Sequence, residues 1–286
     1  MPTRVSQHAS ARAVVDGFGA MVSLPGMTTP FSIRETGAPR LLILGGTAEA
    51  RELAAALAAR RGFDVSLSLA GRTRNPLPSP APTRSGGFGG AAGLAAHLKA
   101  ERIDALVDAT HPFAAIISRN AAQAAQSAGV PLLALLRPQW QCEPGDLWTQ
   151  AATLPEAVEK LGPAPRRVLV ALGRNEVRAL EAAPQHHYLV RSIDPVEPPL
   201  DVPQASYIEA RGPFAEEDER ALLAAHRIDA ILSKNSGGAA TYGKITAARV
   251  LGIEVVMVAR PVRPEVETVA SVGEVLDWLE TLRPAL

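Results

Sequence analysis

Short, fully apolar runs alternate along this chain with longer stretches in which alanine, leucine and charged residues mix. Leu41 to Leu44 is the first such run, and an unbroken apolar segment of that length suits a strand buried on both faces of a parallel sheet. Residues 48–61 are rich in strong helix formers and predict a helix that Gly62 ends. A second strand is expected over 65–70, then loops over 71–74, 75–82 (four prolines) and 86–90. A helix over 93–101, a strand over 105–109, a helix over 114–128 and a strand over 132–136 complete this series. The second series predicts a strand over 168–172, a helix through Ala182, a strand over 187–190, a helix over 215–225 and a strand over 230–232. A loop over 233–238, a helix over 242–251, a strand over 255–259 and a helix over 272–282 follow. Alternation of this kind predicts an α/β fold with parallel sheets.

The two series are copies. Arg102-Ile103-Asp104-Ala105 recurs 125 residues on as Arg227-Ile228-Asp229-Ala230, and Arg137-Pro138 recurs 123 residues on as Arg260-Pro261. Phe88 answers Phe214, and Glu49 with Leu53 answers Glu176 with Leu180. Offsets that drift by only four residues indicate duplication of a whole domain, which makes two lobes and a cleft. We expect lobes at 40–150 and 151–286, dividing between Arg137 and Thr153, where prolines and tryptophans interrupt the pattern. Residues 1–39 show no period and read as an extension, with Met21 and Met27 as alternative starts.

The chain has 286 residues, 47% of them hydrophobic, enough for two cores. Its 29 basic and 29 acidic residues cancel, so bulk charge calls for neither nucleic acid nor an anionic membrane. No apolar run reaches the roughly 18 residues of a membrane helix. Cys142 is the single cysteine and forms no internal disulfide, which suits a cytoplasmic protein. Balanced charge without a large apolar stripe suggests a monomer.

Gly45-Gly46-Thr47-Ala48-Glu49-Ala50 joins the first strand to its helix. Such a turn presents free N–H groups and a positive dipole end to a phosphate, although Thr47 and Ala50 stand where a dinucleotide fingerprint has glycine. Alone, it serves equally as a plain strand-to-helix join. At the end of the second strand, Gly71-Arg72-Thr73-Arg74 carries arginine where an NAD site carries an acid. Arginine there suits the 2′-phosphate of NADP; the alternative is a solvated pair. Asp108-Ala109-Thr110-His111-Pro112-Phe113-Ala114 closes another strand and offers His111 as acid or donor, or as a structural turn residue. Ser233-Lys234-Asn235-Ser236-Gly237-Gly238, with Tyr242 and Lys244 beyond, is a donor-rich loop suited to carboxylates, or simply an exposed turn. His186-His187 lacks a partner at metal-ligand spacing, and no cluster suggests a metal.

Taken together, Ile43 to Ala50, Ala70-Gly71-Arg72, Gly86-Gly87-Phe88-Gly89-Gly90, Asp108 to Ala114 and Ser233 to Gly238 resemble the precorrin-6A reductase family of cobalamin biosynthesis, from about Leu41 to the C-terminus. The resemblance implies two Rossmann-like domains with the active site between them. It implies NADPH as cofactor and reduction of one carbon–carbon double bond of a tetrapyrrole, precorrin-6A or its cobalt-containing equivalent. Gly45, Gly46 and Thr47 would meet the pyrophosphate and Arg72 the 2′-phosphate, with Glu49, Ala50, Gly71, Thr73, Gly87 and Thr110 completing the cofactor side. His111, Pro112, Phe113, Lys234, Asn235, Ser236 and Gly237 would meet the macrocycle, and His111, Tyr242 and Lys244 are the candidates for proton donation or positioning. Transient handover of the product to the next pathway enzyme fits such a role. Two competitors stand beside this reading. A short-chain carbonyl reductase needs Tyr-x-x-x-Lys, and Tyr242-Gly243-Lys244 has the wrong spacing. A two-lobed binding protein would hold NADPH without consuming it.

Overall fold

Each apolar run of the first series becomes a parallel strand. In the computed structural model, which describes residues 38–282 except 61 and 72, these are β1 (Arg40–Leu44), β2 (Asp64–Leu69), β4 (Ala105–Asp108) and β5 (Leu132–Leu135), with β3 (Thr83–Ser85) added at one edge. They alternate with α1 (Ala48–Ala58), α2 (Gly90–Ala100) and α3 (Ala115–Ala128). Then come β6 (Trp148–Ala151), α4 (Leu154–Glu159) and β7 (Arg167–Ala171), followed by a 3₁₀ segment, Val177–Ala182. The chain continues through β8 (His187–Ser192), β9 (Ala205–Glu209), α5 (Glu216–Ala225), β10 (Ala230–Lys234), α6 (Gly243–Leu251) and β11 (Glu254–Val258). It ends with β12 (Thr268–Val269) and α7 (Val272–Thr281). All the described residues belong to one compact unit. The expected extension, apart from residues 38 and 39, lies outside the described residues with Met21 and Met27, and so does Arg72.

The strands build two six-stranded parallel sheets, ordered β12-β5-β4-β1-β2-β3 and β6-β11-β10-β7-β8-β9. The orders are identical under the duplication, with one twist. After β5 the chain crosses to give the second sheet its outer strand, β6; after β11 it crosses back to give the first sheet β12. Sheet membership therefore departs from the expected 40–150 and 151–286 at both junctions: 148–151 lie in the second sheet, and 268–281 return to the first. α7 lays Val275, Trp278 and Leu279 on the core formed by β1, β2 and α1. Each crossover begins at a duplicated arginine, Arg137 or Arg260.

Local geometry repeats as well. Arg102 and Arg227 both adopt positive φ, 51° and 52°. The aspartates after them, Asp104 and Asp229, accept the N–H of Arg40 and Arg167, which ties each α-to-β turn to the first strand of its sheet. Apolar clusters cover both faces of each sheet. Several elements differ from expectation. Helix α1 stops at Ala58, α2 starts at Gly90, and β10 runs on through Ser233 and Lys234, taking these two out of the loop. The expected helix through Ala182 is 3₁₀, because Glu176 turns its carboxylate back onto the Gly173 N–H (2.9 Å) and Arg178 reaches out to the carbonyls of Pro198 and Pro199.

Candidate active site

The glycine turn after β1 is built for close approach. Gly45 donates its N–H to Ser68 O at 2.9 Å, and a side chain at Gly45 would strike Leu67 at 2.6 Å. Gly46 adopts φ +118°, open to glycine and to little else. Thr47 caps α1 by accepting the Ala50 N–H at 3.0 Å, while its hydroxyl donates to Ala109 O at 2.9 Å. The remaining first-turn N–H groups have no intrahelical acceptor, as at every helix start. This cradle fits a phosphate by donor chemistry and backbone geometry. Glu49 would repel an anion here, but Arg137 holds its carboxylate with two bonds of 3.0 and 2.8 Å. Gly71 and Thr73 lie at the exit of β2, where Gly71 faces Gly86 of the neighbouring glycine loop. Gly87 gives its carbonyl to Arg84, whose guanidinium also holds Ser68 Oγ and Gly86 O and lies 3.9 Å over Phe88.

The Thr47 bond joins this cradle to the turn after β4. There Asp108 is buried and receives the Thr110 N–H (3.1 Å) and hydroxyl (2.5 Å) on one oxygen. Its other oxygen takes Arg263, from the second crossover, at 2.7 Å. Arg263 also approaches the carbonyls of His111 and Pro112 at 3.5 Å. His111 accepts the Phe113 N–H on Nδ1 at 3.3 Å, which leaves its proton on Nε2. Burial, followed by the charges of Lys234, Arg137, Arg260 and Arg263, pushes the His111 pKa down to about 3. The ring is therefore neutral at ordinary pH. Phe113 reaches into the core of the opposite sheet.

From the second sheet, Lys234 sits 4.9 Å over the Phe113 ring and pairs with Glu176 at 2.6 Å. Arg137 donates to Ser236 O at 2.7 Å. Arg260 donates to the carbonyls of Asn235, Arg137, Pro138 and Ser236, and burial, then Arg137 and Arg263, lower its pKa to about 10. Glu49, Thr110, His111, Pro112, Phe113, Lys234 and Ser236 thus come together around a group of cations. Asn235 and Gly237 have other work than a free donor loop would give them. Asn235 exchanges two bonds with the backbone of Trp140, 2.9 and 3.0 Å, and Gly237 packs against Pro138.

Tyr242 and Lys244, the other candidates for proton donation or positioning, are each held by neighbouring groups. The Tyr242 hydroxyl is shared between Arg249 (2.9 Å) and Glu143 (3.1 Å). Lys244 is 3% exposed, donates to Thr241 O at 2.6 Å and lies 4.5 Å from the Trp140 ring. Burial, then Arg191, lowers its pKa to about 7. Sequence reasoning missed Arg137, Arg260 and Arg263 as site residues. The first two were visible only as landmarks of the repeat; Arg263 meets Asp108 across 155 residues and left no local sign. Among the described residues, no group of three or more His, Cys, Asp or Glu is placed to hold a metal ion, and no helix is long and apolar enough to cross a membrane.

Comparison with known proteins bears on these observations. The sequence profile of the family described as precorrin-6x reductase CbiJ/CobK matches residues 40–280. The chain is 59% identical over 245 residues to a precorrin-6A reductase from Sinorhizobium sp, covering 84% of this chain and 94% of that protein. It is 41% identical over 244 residues to the precorrin-6A reductase of Mycobacterium tuberculosis, covering 85% and 98%. A cobalt-precorrin-6A reductase from Salmonella typhimurium is 27% identical over 233 residues, covering 77% and 87%. Among solved structures, one titled CobK precorrin-6A reductase has a TM-score of 0.82 at 45% identity, covering 85% of this chain and 97% of that one.

Proposed function

The chain belongs to the precorrin-6x reductase family, and from that premise we propose that it reduces precorrin-6A to precorrin-6B with NADPH in cobalamin biosynthesis. The metal-free substrate is favoured because the relatives of 41–59% identity are precorrin-6A reductases, whereas the cobalt-precorrin enzymes stand at 27–29%. The observation that carries the reading is the Thr47–Ala109 bond, which ties a phosphate-type cradle to the His111 turn opposite the cations of the second sheet. Gly45, Gly46 and Thr47 would hold the pyrophosphate, and Arg72 and Thr73 the 2′-phosphate side. NADPH, when bound, supplies the hydride.

The chain's own residues position and screen. His111 keeps its proton on Nε2 and acts as a neutral donor to the macrocycle. Arg137, Arg260 and Lys234 set a positive field for a substrate that carries many carboxylate arms. Phe113 closes the seam between the sheets against water. We infer that the enzyme works as a cytoplasmic monomer that passes its labile product onward. The test is anaerobic: purified protein with precorrin-6A, following NADPH absorbance, with NADH in parallel. Oxidation of NADPH and little of NADH is expected. Binding of both ligands without oxidation would favour the binding-protein reading instead, and equal rates would remove the 2′-phosphate argument.

A further inference from the structure

A concavity lies where the two lobes meet. It has a volume of about 430 Å³ and is lined by Arg74 from the exit of β2 and by Arg174, Asn175, Arg178, Glu197 and Pro198 from the second lobe. Two of its three arginines are already engaged. Arg178 gives its N–H groups to Glu181 and to the carbonyls of Pro198 and Pro199. Arg74 pairs with Glu197 at 2.5 Å, and its backbone N–H meets Asp194 at 3.2 Å. Arg174 has no hydrogen-bond or ion-pair partner among the described residues.

Position strengthens the case. Arg174 and Asn175 occupy the loop after β7, the duplicate of the Gly45–Thr47 turn after β1. Loops at this edge of a parallel sheet are where ligands bind. In the second copy the phosphate cradle is gone, because the Glu176 carboxylate takes the Gly173 N–H and a 3₁₀ segment replaces the helix. The copy has gained a free guanidinium in its place. A guanidinium offers two parallel donors to one oxyanion, and the Asn175 amide adds a third. Glu197 would oppose an anion, but Arg74 offsets it, and their pair is exposed enough to yield to a competing ligand.

We propose that this interlobe cavity, with Arg174 as its main donor, is an oxyanion site that binds either a carboxylate arm of the macrocycle or a phosphate of the nucleotide. The proposal rests on the functional reading above for the identity of those two ligands, but its test does not depend on turnover. Uroporphyrin, a stable octacarboxylate macrocycle, and NADPH are each titrated into the full-length protein and into Arg174→Ala and Arg174→Lys, following fluorescence. Because Arg174 contacts no described residue through its polar atoms, neither change should disturb folding, which circular dichroism checks. Arg174→Ala is expected to weaken one probe by about tenfold, with partial rescue in Arg174→Lys. A loss confined to uroporphyrin identifies the carboxylate arm, and a loss confined to NADPH identifies the phosphate. Affinities for both probes within twofold of the native protein, or failure of the native protein to bind either, overturn the site. Native protein that binds both probes yet fails to oxidise NADPH with precorrin-6A would instead sink the reductase reading and leave the site standing.

Discussion

Protonation of His111 should destabilise this fold, and the size of the effect follows from its surroundings. Burial and four neighbouring cations lower its pKa from 6.5 to about 3. The unfolded chain takes up a proton near the ordinary value, whereas the folded chain resists. Stability is therefore complete above about pH 6.5 and is lost as pH falls from there towards 3. Each pH unit inside that window corresponds to about 1.4 kcal/mol, so at about pH 5 the loss approaches 2 kcal/mol. Solvent at the edge of the partly buried ring reduces this, and we expect about 1–2 kcal/mol. Urea unfolding of the native protein and of His111→Gln, at about pH 7.5 and pH 5, isolates it, because the other five histidines are common to both proteins. The native protein should lose about 1–2 kcal/mol more than the variant over that range. The same ring, followed by NMR, should stay neutral down to about pH 4. Titration of His111 between about pH 6 and 7, or equal pH dependence of the two proteins, would refute the argument and restore His111 as a cationic acid.

Three further outcomes are expected. Gly237→Ala puts a methyl 2.0 Å from Pro138 O and 2.7 Å from Arg260, at φ +67°, and should cost about 3 kcal/mol or more in urea unfolding; a loss below about 1 kcal/mol would show that the crossover yields easily. Thr47→Val removes both the helix cap and the bond to Ala109, and should lower stability by about 1–2 kcal/mol and weaken NADPH binding in a titration. Lys244, with its pKa lowered to about 7 from 10.5, makes the native protein more stable as pH rises through that interval. Lys244→Met should lose about 2 kcal/mol of that gain between about pH 7 and 9 while keeping kcat within about twofold, and a kcat collapse would return Lys244 to the chemistry.

The apolar runs β1, β4, β7 and β10 were legible because a strand buried on both faces needs unbroken hydrophobicity. Duplication was legible because Arg102 and Arg227 each need the same positive φ and the same aspartate two residues on. Thr83–Ser85, Trp148–Ala151, Ala205–Glu209 and Thr268–Val269 escaped notice: all four are outermost strands of their sheets, all are short, and their mixed composition carries little periodic signal. The exchange of β6 and β12 between sheets is set by pairing across more than a hundred residues and has no local mark. Within the site, the Asp108 to Phe113 turn could be read as chemistry, but its neutral histidine could not, since burial and then four cations distant in the chain determine it. Lys244 could be read as a candidate for donation or positioning, but not its burial, which goes with a bond to Thr241 O and a contact with the distant Trp140 ring.

The central claim is hydride transfer from a nicotinamide held by the first lobe to a tetrapyrrole held against the second. The most direct test is a single anaerobic turnover of precorrin-6A with NADPH deuterated at nicotinamide C4, with mass spectrometry of the product. One deuterium retained in the reduced macrocycle is the predicted result. A product free of deuterium when the stereospecific label has left the cofactor, or no reduction at all with both ligands bound, would contradict it.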